Sequence, residues 1–116
     1  RQEPGRTRER TVYFLTGKGL EALRDWAGTP AHFNSLKSEP LDRMLIADLV
    51  GEEPTREALV ALRGDLAELR ERVGEMKESA ENIPHRRKYL LLATVLLSSI
   101  LDAHDDWVDL VERELS

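Results

Sequence analysis

The stretch "ALVALRGDLAELRERVGEM" (residues 58–76) decides the fold class of this chain. Its large apolar residues recur at alternating spacings of three and four, with Glu, Arg and Asp on the other faces. This coiled-coil heptad spacing predicts a long helix with one narrow apolar seam, which Ala80 and Ile83 continue in register. We expect this helix over about 55–80, with Thr55 as its N-cap. The seam consists of Leu59, Leu62, Leu66, Leu69, Val73 and Met76.

The next helix, expected over about 86–114, is apolar around most of its circumference between residues 89 and 101. Such a helix must be covered on all sides, and the seam of the preceding helix covers only one face. A second copy of the chain is the economical cover for the other face, so we predict a homodimer with this helix near its centre. The residues assigned to dimerisation are Leu59, Leu62, Leu66, Leu69, Val73, Tyr89, Leu92, Leu96, Ile100 and Trp107.

Working back towards the N-terminus, "TVYFL" (11–15) has the β-branched and aromatic content of a strand. Thr16 then suits the N-cap of a helix over about 17–27, and a further helix runs from about Ser38 to Gly51. The predicted fold class is mainly α. A short N-terminal wing strand is followed by about four helices, and the last two are long and form a dimerising helical hairpin.

The amino-acid composition excludes several classes of protein and of functional site. The 116 residues include no cysteine, which excludes disulfides, thiolate zinc sites and cysteine nucleophiles and agrees with a cytoplasmic location. The longest near-apolar run, residues 89–101, is too short to span a bilayer, so no membrane partner is expected. Residues 1–24 carry six basic and three acidic residues, whereas residues 25–116 carry 11 basic and 19 acidic. This asymmetry indicates that the first segment faces a polyanion, the alternative being a solvated basic tail.

Two charged clusters are candidates for chemistry. "LDAHDDWVD" (101–109) places carboxylates four residues apart beside His104, which suits a metal site, but an acidic solvated helix face is the favoured interpretation. His85 stands beside Arg86, Arg87 and Lys88, where pairing with acidic residues of the preceding helix is favoured over an anion-binding turn. No nucleophile triad or phosphate-binding loop is recognisable. We therefore expect no catalytic residues, no metal, no cofactor and no enzyme activity.

The opening segment resembles the end of a winged helix-turn-helix domain in PadR-like transcriptional regulators. In that family the second wing strand reads approximately Tyr-x-Leu-Thr-x-x-Gly before a helix that contains Leu and Trp. The matching positions are Tyr13, Leu15, Thr16, Gly19, Leu23 and Trp26. The resemblance implies that residues 1–28 end a winged-helix domain and that residues 35–116 form a C-terminal helical dimerisation domain. The first wing strand and the DNA-reading helix are then expected upstream of Arg1.

The resemblance also implies a function. Such proteins are generally repressors, and the dimer presents two winged helices to a palindromic operator. Arg6, Arg8 and Arg10 are the expected DNA contacts of the wing, and a small molecule or another signal alters DNA affinity. The alternative that stays open is a stand-alone helical protein–protein interaction module without DNA binding. A metal enzyme built on residues 101–109 is the third and least favoured interpretation.

Overall fold

The computed structural model describes residues 16–33 and 37–115, where all the regular secondary structure is helical, as predicted. The chain divides into two compact units, Arg1–Leu36 and Lys37–Ser116. The predicted wing strand, residues 11–15, lies outside the described residues, as do Arg6, Arg8 and Arg10. The prediction of a mainly α protein is therefore confirmed, while the strand remains a prediction.

The first unit contains one described helix, α1 (Gly17–Ala27), with the bounds that the sequence predicted. Thr16 caps it, because the Thr16 Oγ1 accepts a hydrogen bond of 2.9 Å from the backbone N–H of Gly19. At the other end the Thr29 hydroxyl donates to the Trp26 carbonyl at 2.7 Å. Local sequence alone thus defines both ends of α1.

The second unit begins with two short helices where the sequence predicted one. Ser38 caps α2 (Glu39–Leu45), and α3 (Ala47–Val50) follows after a break at Ile46. The Ile46 carbonyl starts a new helical turn by accepting from Leu49 at 2.9 Å and from Val50 at 3.3 Å. Gly51 ends α3 with a φ of 113°, which favours glycine and lets the chain turn at once into the next helix.

The predicted helix over 55–80 is also divided, into α4 (Glu52–Val60) and α5 (Leu62–Ala80), with the break at Ala61. The prediction of Thr55 as an N-cap was wrong. Thr55 lies buried inside the first turn of α4, and its hydroxyl donates to the Gly51 carbonyl at 2.7 Å. The helix begins earlier because Glu52 and Glu53 suit its positive end and Pro54 needs no hydrogen-bonded N–H there.

The final helix, α6 (Arg87–Glu114), runs antiparallel to α5 and forms the predicted hairpin with it. Thr94, Leu101 and Val108 are buried at intervals of seven residues, which is the spacing of one heptad seam. Leu66, Leu101 and Val108 form the core of the hairpin, against which Val60, Leu62, Val73 and Trp107 are packed. The Thr94 hydroxyl is satisfied within its own helix, because it donates to the Leu91 carbonyl at 2.7 Å.

In the part of the chain that the structure describes, no helix combines the length and the hydropathy that crossing a bilayer requires.

Candidate functional site

The first half of α6 carries an apolar surface that its own unit leaves in solvent. Five side chains are between 45% and 63% exposed, whereas Thr94 on the opposite face is 1% exposed. The α5 seam therefore covers one face of α6 and leaves the other face open. We define the α6 surface as Tyr89, Leu92, Val95, Leu96 and Ile100.

The α6 surface has a larger continuous apolar area than the solvent-exposed face of a helix ordinarily has. With roughly 100 Å² left open on each of five large side chains, it presents roughly 500 Å² of contiguous apolar area. Isolated exposed leucines are normal on protein surfaces, but a continuous patch of this size commonly marks an interaction site. The α6 surface is thus a candidate interaction site among the described residues.

The structure divides the ten residues assigned to dimerisation between the hairpin core and the α6 surface, with Leu69 in neither set. Leu59 and Leu66 are buried, and Leu62, Val73 and Trp107 are half-buried around the hairpin core, so they already have partners within one chain. Leu69 keeps a little over two-fifths of its surface exposed. The remaining four residues belong to the α6 surface: Tyr89, Leu92, Leu96 and Ile100.

Sequence reasoning did not identify a second apolar surface, on α2 and α3. Five of the large apolar side chains on and between these two helices are exposed, and Leu49 reaches 81%. The wide apolar spacing of this segment was visible in the sequence, but its exposure was not, because a wide apolar face ordinarily predicts burial. We define the α2–α3 surface as Leu41, Leu45, Ile46, Leu49 and Val50.

One side of the hairpin is charged rather than apolar. Arg63 Nη2 lies 3.0 Å from Asp109 Oδ1 and 2.7 Å from Glu112 Oε1, so one guanidinium bridges two carboxylates. Seven residues later, Arg70 Nη2 bridges Asp102 Oδ1 at 2.7 Å and the carboxylate of Asp105. The hydrogen bonds that both guanidinium groups donate to these carboxylates raise the pKa of Arg63 and Arg70 above its usual value. The bridges pair α5 with α6 in one register along this side.

These bridges explain the sequence "LDAHDDWVD". Asp102 and Asp105 share Arg70 as an ion-pair partner, and His104 Nδ1 lies 2.8 Å from the Ile100 carbonyl. Within the ranges 16–33 and 37–115, no group of three or more His, Cys, Asp or Glu residues could hold a metal ion. The segment serves as one half of an interhelical ion-pair row.

The basic run before α6 also forms an ion pair within the chain. Arg87 Nε lies 3.0 Å from Glu81 Oε1, directly after the end of α5, which agrees with the favoured interpretation of this segment. Lys88 Nζ lies 5.9 Å from the centre of the Tyr89 ring. The basic run therefore borders the α6 surface.

Replacing Arg70 tests the ion-pair row. In Arg70→Gln, Asp102 and Asp105 lose their shared partner, and we expect the midpoint of thermal unfolding to fall by a few degrees. The difference from the wild type should shrink in 1 M NaCl, because salt screens exposed charges. Arg72→Gln is the control, since Arg72 forms no ion pair with any described residue. If the midpoint of thermal unfolding fell equally in both variants, and independently of salt, the ion pairs of Arg70 would have no stabilising role.

A scan against protein-family models found no match to this chain, and searches of curated proteins and of solved structures found no match either. Its function must therefore be inferred from its own residues and geometry.

Proposed function

We propose that this chain is the dimerisation and signal-sensing region of a PadR-like DNA-binding transcriptional regulator that acts as a repressor. The observation that carries the homodimer is the α6 surface, which is apolar, contiguous and uncovered by its own unit. The resemblance of residues 13–26 to the end of a winged-helix domain supports the DNA-binding part of the proposal.

A second copy is the partner that suits the α6 surface best. A two-fold axis lets one patch cover its own counterpart, so a single surface is sufficient for a closed dimer. Two copies of the α6 surface would bury roughly 1,000 Å² of apolar area, and flanking residues bring this close to the lower limit of a specific interface. The dimer then sets the distance between two DNA-binding domains, which determines the spacing of operator half-sites.

Sedimentation equilibrium tests the dimer directly. Over a micromolar concentration range, the chain should sediment with about twice its monomer mass of 13.2 kDa. A mass of one chain at every concentration would contradict the proposal. It would instead favour the second candidate, a helical interaction module that binds a different protein, which the exposed α2–α3 surface supports.

A salt titration tests the proposed DNA contacts. The natural gene product should lose DNA affinity steeply as salt rises, because its basic residues displace counterions from phosphates. Replacing Arg6, Arg8 and Arg10 together with Ala should reduce the slope of log K against log salt by roughly 2 to 3. Fluorescence anisotropy with a labelled duplex measures this slope, and Arg72→Ala serves as the control. An unchanged slope in the triple variant would exclude those three arginines from the interface.

A further inference from the structure

We infer that the two α6 helices of the dimer pack antiparallel, with Leu96 of each chain beside the two-fold axis. In this arrangement the basic start of α6 in one copy faces Asp106 of the other. The inference deepens the proposed function and rests on its homodimer, because it names the orientation and register of that interface.

Charge along α6 is the first observation. Arg86, Arg87 and Lys88 stand at the start of the helix, and the acidic residues of its second half begin at Asp102. Lys88 and Asp106 are both exposed, and neither forms an ion pair with any residue that the structure describes. At 3.6 residues per turn they lie on the same side of Leu96 around the helix and at nearly equal distances from it along the helix. An antiparallel pair centred on Leu96 therefore sets Lys88 beside the partner's Asp106, twice in each dimer.

Helix electrostatics favour the same orientation. The start of a helix carries a partial positive charge, so the three cationic residues there are unfavourably placed within a single chain. A carboxylate from the second copy would offset that charge. A parallel pair would instead bring two basic segments together, which costs free energy because like charges repel, and it would give Asp106 no cationic partner.

The sizes of the side chains agree with this register. Residues equally distant from Leu96 on its two sides face each other across an antiparallel pair. Tyr89 then lies opposite the partner's Ala103, so the largest side chain of the α6 surface meets a small, exposed one. Leu92 lies opposite the partner's Ile100, and both are members of the α6 surface.

Cysteine cross-linking distinguishes the orientations, and the chain has no native cysteine to interfere. In the antiparallel dimer only a residue beside the axis comes within the 4.4–6.8 Å between Cα atoms that a disulfide with its own copy in the partner needs. Leu96→Cys should therefore form a covalent dimer under mild oxidation. Leu110→Cys is the matched control: it is an exposed leucine of the same helix, fourteen residues from Leu96. The two copies of residue 110 would lie about 42 Å apart at 1.5 Å per residue, so no cross-link should form.

Each result of this experiment has one meaning. If the Leu96→Cys variant cross-links and the Leu110→Cys variant does not, the antiparallel pair is supported. Cross-linking of both variants means a parallel pair and overturns the inference. Failure of Leu96→Cys to cross-link while it sediments as a dimer also overturns it, although the proposed homodimer would stand. A monomeric wild-type chain would overturn the homodimer itself.

Two further variants cover the case in which Leu96→Cys does not fold. A mixture of Tyr89→Cys and Ala103→Cys chains should give a covalent heterodimer, whereas neither variant should cross-link alone. Covalent dimers of each variant alone, without the heterodimer, would indicate a parallel pair.

A charge exchange tests the proposed ion pair separately. Lys88→Asp and Asp106→Lys should each weaken the dimer by roughly three- to tenfold, since each places like charges beside one another. The double variant should recover the wild-type dissociation constant, because it restores opposite charges in the reversed order. Additive losses in the double variant would overturn the pairing of Lys88 with the partner's Asp106.

Discussion

Leu96→Glu should convert the dimer into a monomer that keeps its helical content. Leu96 is 63% exposed in the single chain, so a carboxylate there is hydrated in the monomer and costs its fold little. In the dimer the same change would remove a buried leucine and place two unpaired carboxylates beside each other at the two-fold axis. We expect the dissociation constant to rise at least about a thousandfold, equivalent to roughly 4 kcal/mol. Sedimentation equilibrium and circular dichroism measure the two effects.

Leu49→Glu is the matched control for this experiment. It makes the same chemical change at a leucine that is more exposed, on the α2–α3 surface. The control variant should remain dimeric, because the proposed interface does not include α3. A Leu96→Glu chain that still sediments as a stable dimer would exclude the α6 surface as the interface. Dissociation of both variants would mean that the α2–α3 surface belongs to the interface as well.

Leu59→Ala should lower the free energy of unfolding by about 2–4 kcal/mol, the usual range for a buried leucine replaced with alanine. Leu59 is 1% exposed and is among the largest fully buried side chains of the described residues. The loss combines the transfer of apolar groups out of water with a cavity that α4 and its neighbours fill only in part. Urea unfolding at one fixed protein concentration measures it, since dimerisation couples stability to concentration.

Leu49→Ala provides the comparison for the core. At 81% exposure its truncation should change the free energy of unfolding by less than about 0.5 kcal/mol. Equal losses for the two variants would show that Leu49 is buried in the assembled protein and that the single chain understates the size of the core.

Several elements followed from local sequence alone. The caps at Thr16 and Ser38 were predictable because a hydroxyl before a helix satisfies a backbone N–H that has no partner within that helix. The positive φ of Gly51 belongs to the same class of local effect. The bounds of α6 were predicted within one residue, because its apolar content is dense and Pro84 stands just before it.

The breaks at Ile46 and Ala61 were not predictable in this way. Both positions hold residues that are acceptable inside a helix, and the heptad seam continues across Ala61 without interruption. Apolar periodicity reports which residues share a face, and this information is nearly the same for one bent helix and for two joined helices. The same limit explains why Thr55 was mistaken for the start of a helix that begins at Glu52.

The sequence by itself determined that this is a mainly helical chain whose last helix carries more apolar surface than one neighbour can cover. Only the tertiary structure decided which apolar residues face inward, leaving Leu66 buried and Leu96 exposed although both belong to apolar patterns. It also decided the role of the acidic segment, because Arg63 and Arg70 reach their carboxylates only when the hairpin brings together residues 32–49 positions apart. Helical periodicity is a property of residues that are close in sequence. Burial and ion pairing depend instead on which residues, distant in sequence, the fold places opposite a given helix face.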